Sequence, residues 1–166
     1  IGEFRIDTLC FDEENNSFVI VEYKKGSSYS VIDQGYSYLS VMLNNKSDFI
    51  LEYNESVDKT IKRDEVDWSN SKIIFISPSF NSYQKNSVNF KDVPFELWEI
   101  KKFSNNVVSF NQHYSKSNES INKVSKGKDT VISKVNKEVK VYNEEDFLGY
   151  IGDNLKEPFR KIKEKL

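Results

Sequence analysis

Residues 5–24, RIDTLCFDEENNSFVIVEYK, decide the fold. Arg5–Phe11 mixes β-branched and aromatic residues and reads as a strand. Asp12–Ser17 (DEENNS) reads as a tight polar turn, and Phe18–Lys24 (FVIVEYK) as a second strand, so the two form an antiparallel hairpin. Side chains alternate along a strand. Phe18, Ile20, Glu22 and Lys24 therefore share one face, and Val19, Val21 and Tyr23 the other. A Glu and a Lys that close an otherwise apolar face each need a partner or a metal once the strand is covered. A cross-strand salt bridge at a sheet edge satisfies that need, and so does a functional site. The hairpin can set Asp7 beside Glu22 as a companion carboxylate, with the register of the two strands left open by the sequence.

Working outward, Ser30-Val-Ile-Asp33 has capping-box spacing with Asp in place of Glu and opens a helix; Asp33 reads as a cap residue. Val31, Tyr38, Leu39, Met42 and Leu43 follow at three- and four-residue steps, and Asn44-Asn45 ends the run. Asp48–Tyr53 (DFILEY) is predicted as a third strand and Lys72–Ser77 (KIIFIS) as a fourth, buried on both faces in mid-sheet and stopped by Pro78. Phe80–Phe90 reads as a second helix, Phe95–Phe103 as a fifth strand and Val107–Gln112 as a sixth. The fold class expected is α/β, a mixed sheet flanked by helices. It forms one domain over residues 1–113. Residues 114–142, rich in Lys, Ser and Asn, are expected to be a polar linker or mobile segment. Asn143 before Glu-Glu-Asp caps a helix, so residues 143–166 are expected to begin a second, helical region cut short by the end of the chain, with breaks at Gly152 and Pro158.

At 166 residues with 12 Phe, 9 Tyr and 2 Trp, the chain can fill a sizeable core. It has no apolar run of membrane-spanning length and no leader-like opening, and a cytoplasmic protein is expected. The single cysteine, Cys10, excludes a disulfide framework and a multi-cysteine zinc site; Cys10 is expected to be an inert core residue. The single histidine, His113, excludes a paired-histidine zinc cage and reads as surface. Chemistry must then come from carboxylates, lysines, amides and phenols. Charge is uneven: residues 1–100 carry 10 Lys and Arg against 17 Asp and Glu, and residues 101–166 carry 14 against 9. An acidic front would repel a duplex unless metal and local lysines offset it. The Lys123–Lys140 run reads as a solvated linker or a phosphate-tracking arm.

Two carboxylates and a lysine at a strand end are the working parts of a metal-dependent phosphodiesterase. Mg²⁺ takes six oxygens and keeps several waters, so one or two carboxylates plus a carbonyl suffice. R-I-D-T-L…E-Y-K resembles the D…(D/E)-x-K signature of the PD-(D/E)XK, restriction-endonuclease-like nuclease superfamily, with Asp7, Glu22 and Lys24 in its three positions. Gln34-Gly-Tyr-Ser-Tyr38 resembles the Q-x₃-Y element of RecB-type nucleases; Gln34 and Tyr38, four residues apart, project from one helix face. The longer run over residues 3–103 is similar to uncharacterised prokaryotic proteins in which such a domain precedes a domain of unknown function, DUF5655, and YNEEDFL resembles the opening of that second domain.

The resemblance implies a restriction-endonuclease-like three-layer core and a Mg²⁺- or Mn²⁺-dependent nuclease acting on DNA rather than RNA in defence, restriction or repair. Asp7 and Glu22 would hold the metal, Lys24 would assist the attacking water, and Gln34 and Tyr38 would complete the catalytic set. It allows a homodimer and implies no membrane. The alternative is a non-catalytic nucleic-acid-binding or regulatory module that keeps the fold. Superfamily members commonly carry an acidic residue on a helix before the first catalytic strand; here either Glu3 is that acid or the helix is absent from this sequence, and Ile6 replaces the frequent proline. Lys25 and Tyr29 flank the site as phosphate contacts or solvated loop residues, and Lys46 is expected in a turn.

Overall fold

A computed structural model of the chain describes residues 5–25, 30–124 and 130–164. The hairpin forms as expected. Strand β1 (Thr8–Asp12) pairs antiparallel with β2 (Ser17–Tyr23) in the register Thr8↔Val21 to Asp12↔Ser17. Asp12 holds the turn: its carboxylate accepts from the Glu14 and Asn15 amides and from the Asn15 side chain, and Asn16 takes the left-handed conformation at φ 48°.

β2 is buried on both faces except at Tyr23, and β3 (Lys72–Ser77) pairs parallel along its second edge, which makes it an interior strand. β4 (Phe95–Lys102) runs parallel to β3, and β5 (Val108–His113) closes the far edge antiparallel to β4. The strand order is thus β1-β2-β3-β4-β5, a five-stranded mixed sheet flanked by helices, and KIIFIS sits in its centre. Only the two edge strands are antiparallel to the parallel core.

Helix α1 (Val31–Asn44) begins at Ser30, whose hydroxyl accepts the Asp33 amide, as its spacing predicts. Val31, Tyr36, Leu39 and Met42 bury against Ile20, Ile73, Phe75 and Leu97 in one core. DFILEY is not a strand. It lies inside helix α2 (Lys46–Ser56), where only Phe49 is fully buried and Leu51 is exposed. Asn45 joins the two helices, its backbone amide closing α1 on Val41 and Met42 while its side-chain amide donates back to the Val41 carbonyl. Lys46 is accordingly the first residue of α2 rather than a turn residue. Two short 3₁₀ turns, Arg63–Glu65 and Trp68–Asn70, lead into β3, and Trp68 stacks on Phe18. Helix α3 (Ser82–Ser87) carries a reciprocal Asn81–Gln84 cap.

The segment 114–142 is not a bare linker. Ile121 in helix α4 (Ile121–Val124), Val135 in helix α5 (Val131–Glu138) and Val139 beyond it are all buried in the main core, and α5 packs on α1. Each such aliphatic side chain contributes roughly 1.5–3 kcal/mol on burial. Asp92 fastens the entry to α4 by accepting from the Ile121 amide (2.8 Å) and from the Ser120 hydroxyl, and Lys46 pairs with Glu138 at 2.5 Å. Helices α6 (Glu144–Tyr150) and α7 (Asp153–Lys163) follow; Asn143 caps α6 as expected, whereas Pro158 lies inside α7 and does not break it. Cys10 is exposed, because β1 is an edge strand and the outer face there is uncovered.

Candidate functional site

The site is built where β2 ends. Glu22 and Lys24 project on the face covered by α1, at 7% and 9% relative exposure. The Lys24 amide donates to the Ile76 carbonyl at 2.7 Å, so pairing with β3 holds the strand straight through the pair. Asp7 lies just before β1, where its carboxylate accepts the Tyr23 amide at 3.1 Å and so continues the hairpin with a side chain. That bond fixes the register the sequence left open and brings Asp7 alongside Glu22.

Helix α1 delivers the rest. Gln34 donates from Nε2 to Glu22 Oε1 (2.8 Å) and to the Tyr38 hydroxyl (3.0 Å), and its Oε1 accepts from Lys24 Nζ. Tyr38 in turn donates to the Arg5 carbonyl at 2.9 Å. Lys24 Nζ stands 3.5 Å from Glu22 Oε1 and 5.6 Å from the centre of the Phe75 ring. Four of the five residues singled out from the sequence, Glu22, Lys24, Gln34 and Tyr38, therefore meet in one polar network with Gln34 as its hub, and Asp7 stands beside it, held by the Tyr23 amide and acting on Glu22 through its charge. Lys25 is exposed beside it; Tyr29 and Glu3 lie outside the described residues.

The electrostatics single out Glu22. Burial pushes its carboxyl above the ordinary Glu value, and the charge of Asp7 pushes it further, against the opposing effects of Lys24 and Gln34. Among the described residues its buried Oε2 has no hydrogen-bond partner. A buried carboxylate oxygen without a donor, next to a second carboxylate, is the environment that a hard cation relieves. Asp7 and Glu22 thus fit a divalent metal by their chemistry. Among the described residues no group of three or more His, Cys, Asp or Glu side chains forms a cage, so water and carbonyl oxygens would complete the coordination, as Mg²⁺ favours. The Tyr38 phenol is also raised, first by burial, with Glu22 and Asp7 adding to the effect, so it stays protonated and serves as a donor.

A second polar cluster went unread in the sequence. Glu99 on β4 accepts the Phe80 amide at 2.9 Å, lies 3.0 Å from Lys85 Nζ and 3.2 Å from His113 Nε2, and has Lys101 at 3.8 Å. His113 is therefore partly buried against Glu99 rather than a surface residue. The available signal was Glu99-Ile-Lys101, which repeats on β4 the E-x-K spacing of β2. At the opposite end of the strands a 330 Å³ cavity is lined by Asp12, Lys72, Glu96, Lys140 and Tyr142, away from the Glu22 network.

Over 165 residues, 99% of this chain, the sequence is 48% identical to an uncharacterised protein of Haemophilus influenzae (strain ATCC 51907 / DSM 11121 / KW20 / Rd). The chain spans about half, 54%, of that relative's length. No family model matches the sequence, and no solved structure matches it. Among the described residues no helix is long and apolar enough to cross a membrane.

Proposed function

We propose that this domain is a metal-dependent nuclease hydrolysing phosphodiester bonds, with DNA favoured over RNA by the resemblance of its motifs. The observation that carries the reading is the buried, donorless Glu22 Oε2 beside Asp7, inside a network that also holds Lys24, Gln34 and Tyr38. Asp7 and Glu22 would hold Mg²⁺ or Mn²⁺. When bound, such an ion supplies Lewis acidity to a phosphate oxygen and lowers the pKa of a coordinated water.

The chain's own groups do the remaining work. Lys24 brings a positive charge to the strand end, where it stabilises negative charge gathering on a phosphorane and orients a water for attack. Gln34 fixes that ammonium by accepting from it and fixes Glu22 by donating to it, so neither group must reorganise during reaction. Tyr38 holds Gln34 in register and is itself held by the Arg5 carbonyl. The fully buried Phe75 ring, 5.6 Å from Lys24 Nζ, limits water around that ammonium.

The test is a panel of single-stranded, double-stranded and branched DNA plus RNA, incubated with Mg²⁺, Mn²⁺ or chelator. Cleavage is expected with metal only, and Asp7→Ala, Glu22→Ala and Lys24→Ala are each expected to slow it by at least about a hundredfold. A cleavage rate unchanged in all three variants overturns the proposal. Salt-sensitive binding with no cleavage under any metal leaves the non-catalytic binding module in its place.

A further inference from the structure

We infer that the cleft between the end of α3 and residues 113–116 is a phosphate-binding pocket that holds the substrate strand beside the Glu22 centre; the pocket stands on its own geometry, and its role toward a strand rests on the nuclease reading above. The cleft measures 180 Å³, and Lys85, Asn86, His113, Ser115 and Lys116 are among its walls. Among the described residues no carboxylate lines it. Its volume falls below the roughly 300 Å³ at which pockets for drug-sized molecules begin. The space suits a small anion, and the two ammonium groups, the imidazole and the amides are donors that a phosphate takes, while the Ser115 hydroxyl donates to Asn89 Oδ1 at 3.1 Å and shapes the wall.

Glu99 anchors this arrangement from behind. Its side chain is 11% exposed, and it fixes both Lys85 and His113 within 3.2 Å while Lys101 approaches its second oxygen. Lys85 and Lys101 against the single carboxylate of Glu99 leave one positive charge in excess. The carboxylate also holds them in place before any ligand arrives, which lowers the ordering cost of binding.

The pocket shares a row with the candidate centre. Glu22 pairs with Phe75, Phe75 with Leu97, and Leu97 with His113, all on one sheet face. Three strand spacings separate His113 from Glu22, about 14 Å. The acidic front is not an obstacle on this side. Asp12, Glu13 and Glu14 lie in the β1–β2 turn, and Asp64, Glu65 and Asp67 join them there, the Asp67 amide donating to the Asn16 carbonyl at 2.7 Å. That turn is at the other end of β2 from Glu22, and Lys59 pairs there with Glu13 and Lys72 with Glu96.

His113, the single histidine, is a built-in probe, because its imidazole proton signals need no assignment. At fixed pH and ionic strength, inorganic phosphate is expected to shift those signals along a saturable curve while chloride does not. The exposed-site variant Lys116→Gln is expected to weaken that curve roughly threefold. Absence of saturation, or an equal response to chloride, overturns the pocket. In a second arm, oligonucleotide binding is measured in chelator over a range of salt. Lys116→Gln is expected to reduce the slope of log affinity against log salt by about 1. A saturable His113 response with an unchanged slope overturns the strand-holding role and leaves a site for free phosphate. If both arms succeed while Asp7→Ala, Glu22→Ala and Lys24→Ala cut normally, the catalytic proposal falls and the pocket stands.

Discussion

Replacing Gly35 by alanine tests how tightly α1 is pressed onto the sheet. In an ordinary helix interior, Gly→Ala stabilises by about 1 kcal/mol. Here the added Cβ would stand 2.5 Å from Phe95 Cζ and 2.7 and 2.8 Å from its two Cε atoms. Phe95 has no easy retreat: it meets Tyr36 edge-to-face at 5.0 Å and Phe75 at 5.9 Å, and it is 9% exposed. Overpacking of this kind costs about 1–3 kcal/mol. The propensity gain is offset, and Gly35→Ala is expected to lower stability by up to about 2 kcal/mol. Because Gln34 is the preceding residue, lifting α1 also stretches its 2.8 Å bond to Glu22. Urea unfolding, followed by the fluorescence of Trp68 and Trp98, measures the change. Introducing the same alanine in a Phe95→Leu background removes the clash and is expected to restore the ordinary gain of about 1 kcal/mol. An alanine variant more stable than the parent with Phe95 in place refutes the reasoning.

Two further variants read the buried carboxylates through pH. The folded-state pKa of Glu22 is raised above 4.5, so its contribution to stability is fully present below that value and is lost as pH rises through the raised one. Glu22→Gln cannot ionise; it is expected to melt higher than the parent in chelator at pH 8 and to match it near pH 4. Mg²⁺ is expected to raise the melting temperature of the parent alone, and a variant that melts lower at pH 8 contradicts this account. Glu99 behaves oppositely. Burial alone would raise its carboxyl, but the Phe80 amide, Lys85 and His113 outweigh burial and hold it at about 2. Its contribution, at most about 3 kcal/mol, is present above 4.5 and lost as pH falls toward 2. The stability gap between parent and Glu99→Gln should close over that interval in acid titration, and a gap that stays constant refutes the anchor.

The hairpin, the central strand and the approach of Glu22, Lys24, Gln34 and Tyr38 to one another were legible because each rests on local spacing: alternation in FVIVEYK, an unbroken apolar run in KIIFIS, and a four-residue step between Gln34 and Tyr38. DFILEY misled for the same reason. Its apolar and aromatic residues fit a buried strand, yet Phe49, Ile50 and Tyr53 turn toward the core from a helix while Leu51 faces solvent. Only tertiary packing separates the two readings of so short a run. The segment 114–142 was misread because its core residues, Ile121, Val135 and Val139, stand singly among Ser, Lys and Asn, so composition hides them. Cys10 illustrates the opposite error: strand membership was right, but position at the sheet edge, and hence exposure, depends on partners remote in sequence. The Glu99 cluster draws Phe80, Lys85, Lys101 and His113 from four places, and no local window contains it.

Asp7 and the four members of the Glu22 network fall between residues 7 and 38, in a hairpin and the helix after it. Short loops close cheaply, so this stretch can bring its side chains together while the chain is still being made. What it lacks at that moment is the cover of β3, which arrives with residues 72–77 and pairs Glu22 with Phe75. The reluctance of Glu22 to ionise is thus conferred late, by docking of the neighbouring strand. If Asp7 and Glu22 hold a metal as proposed, its affinity is expected to mature during synthesis only after the middle of the sheet has zipped up, and metal uptake then reports that step.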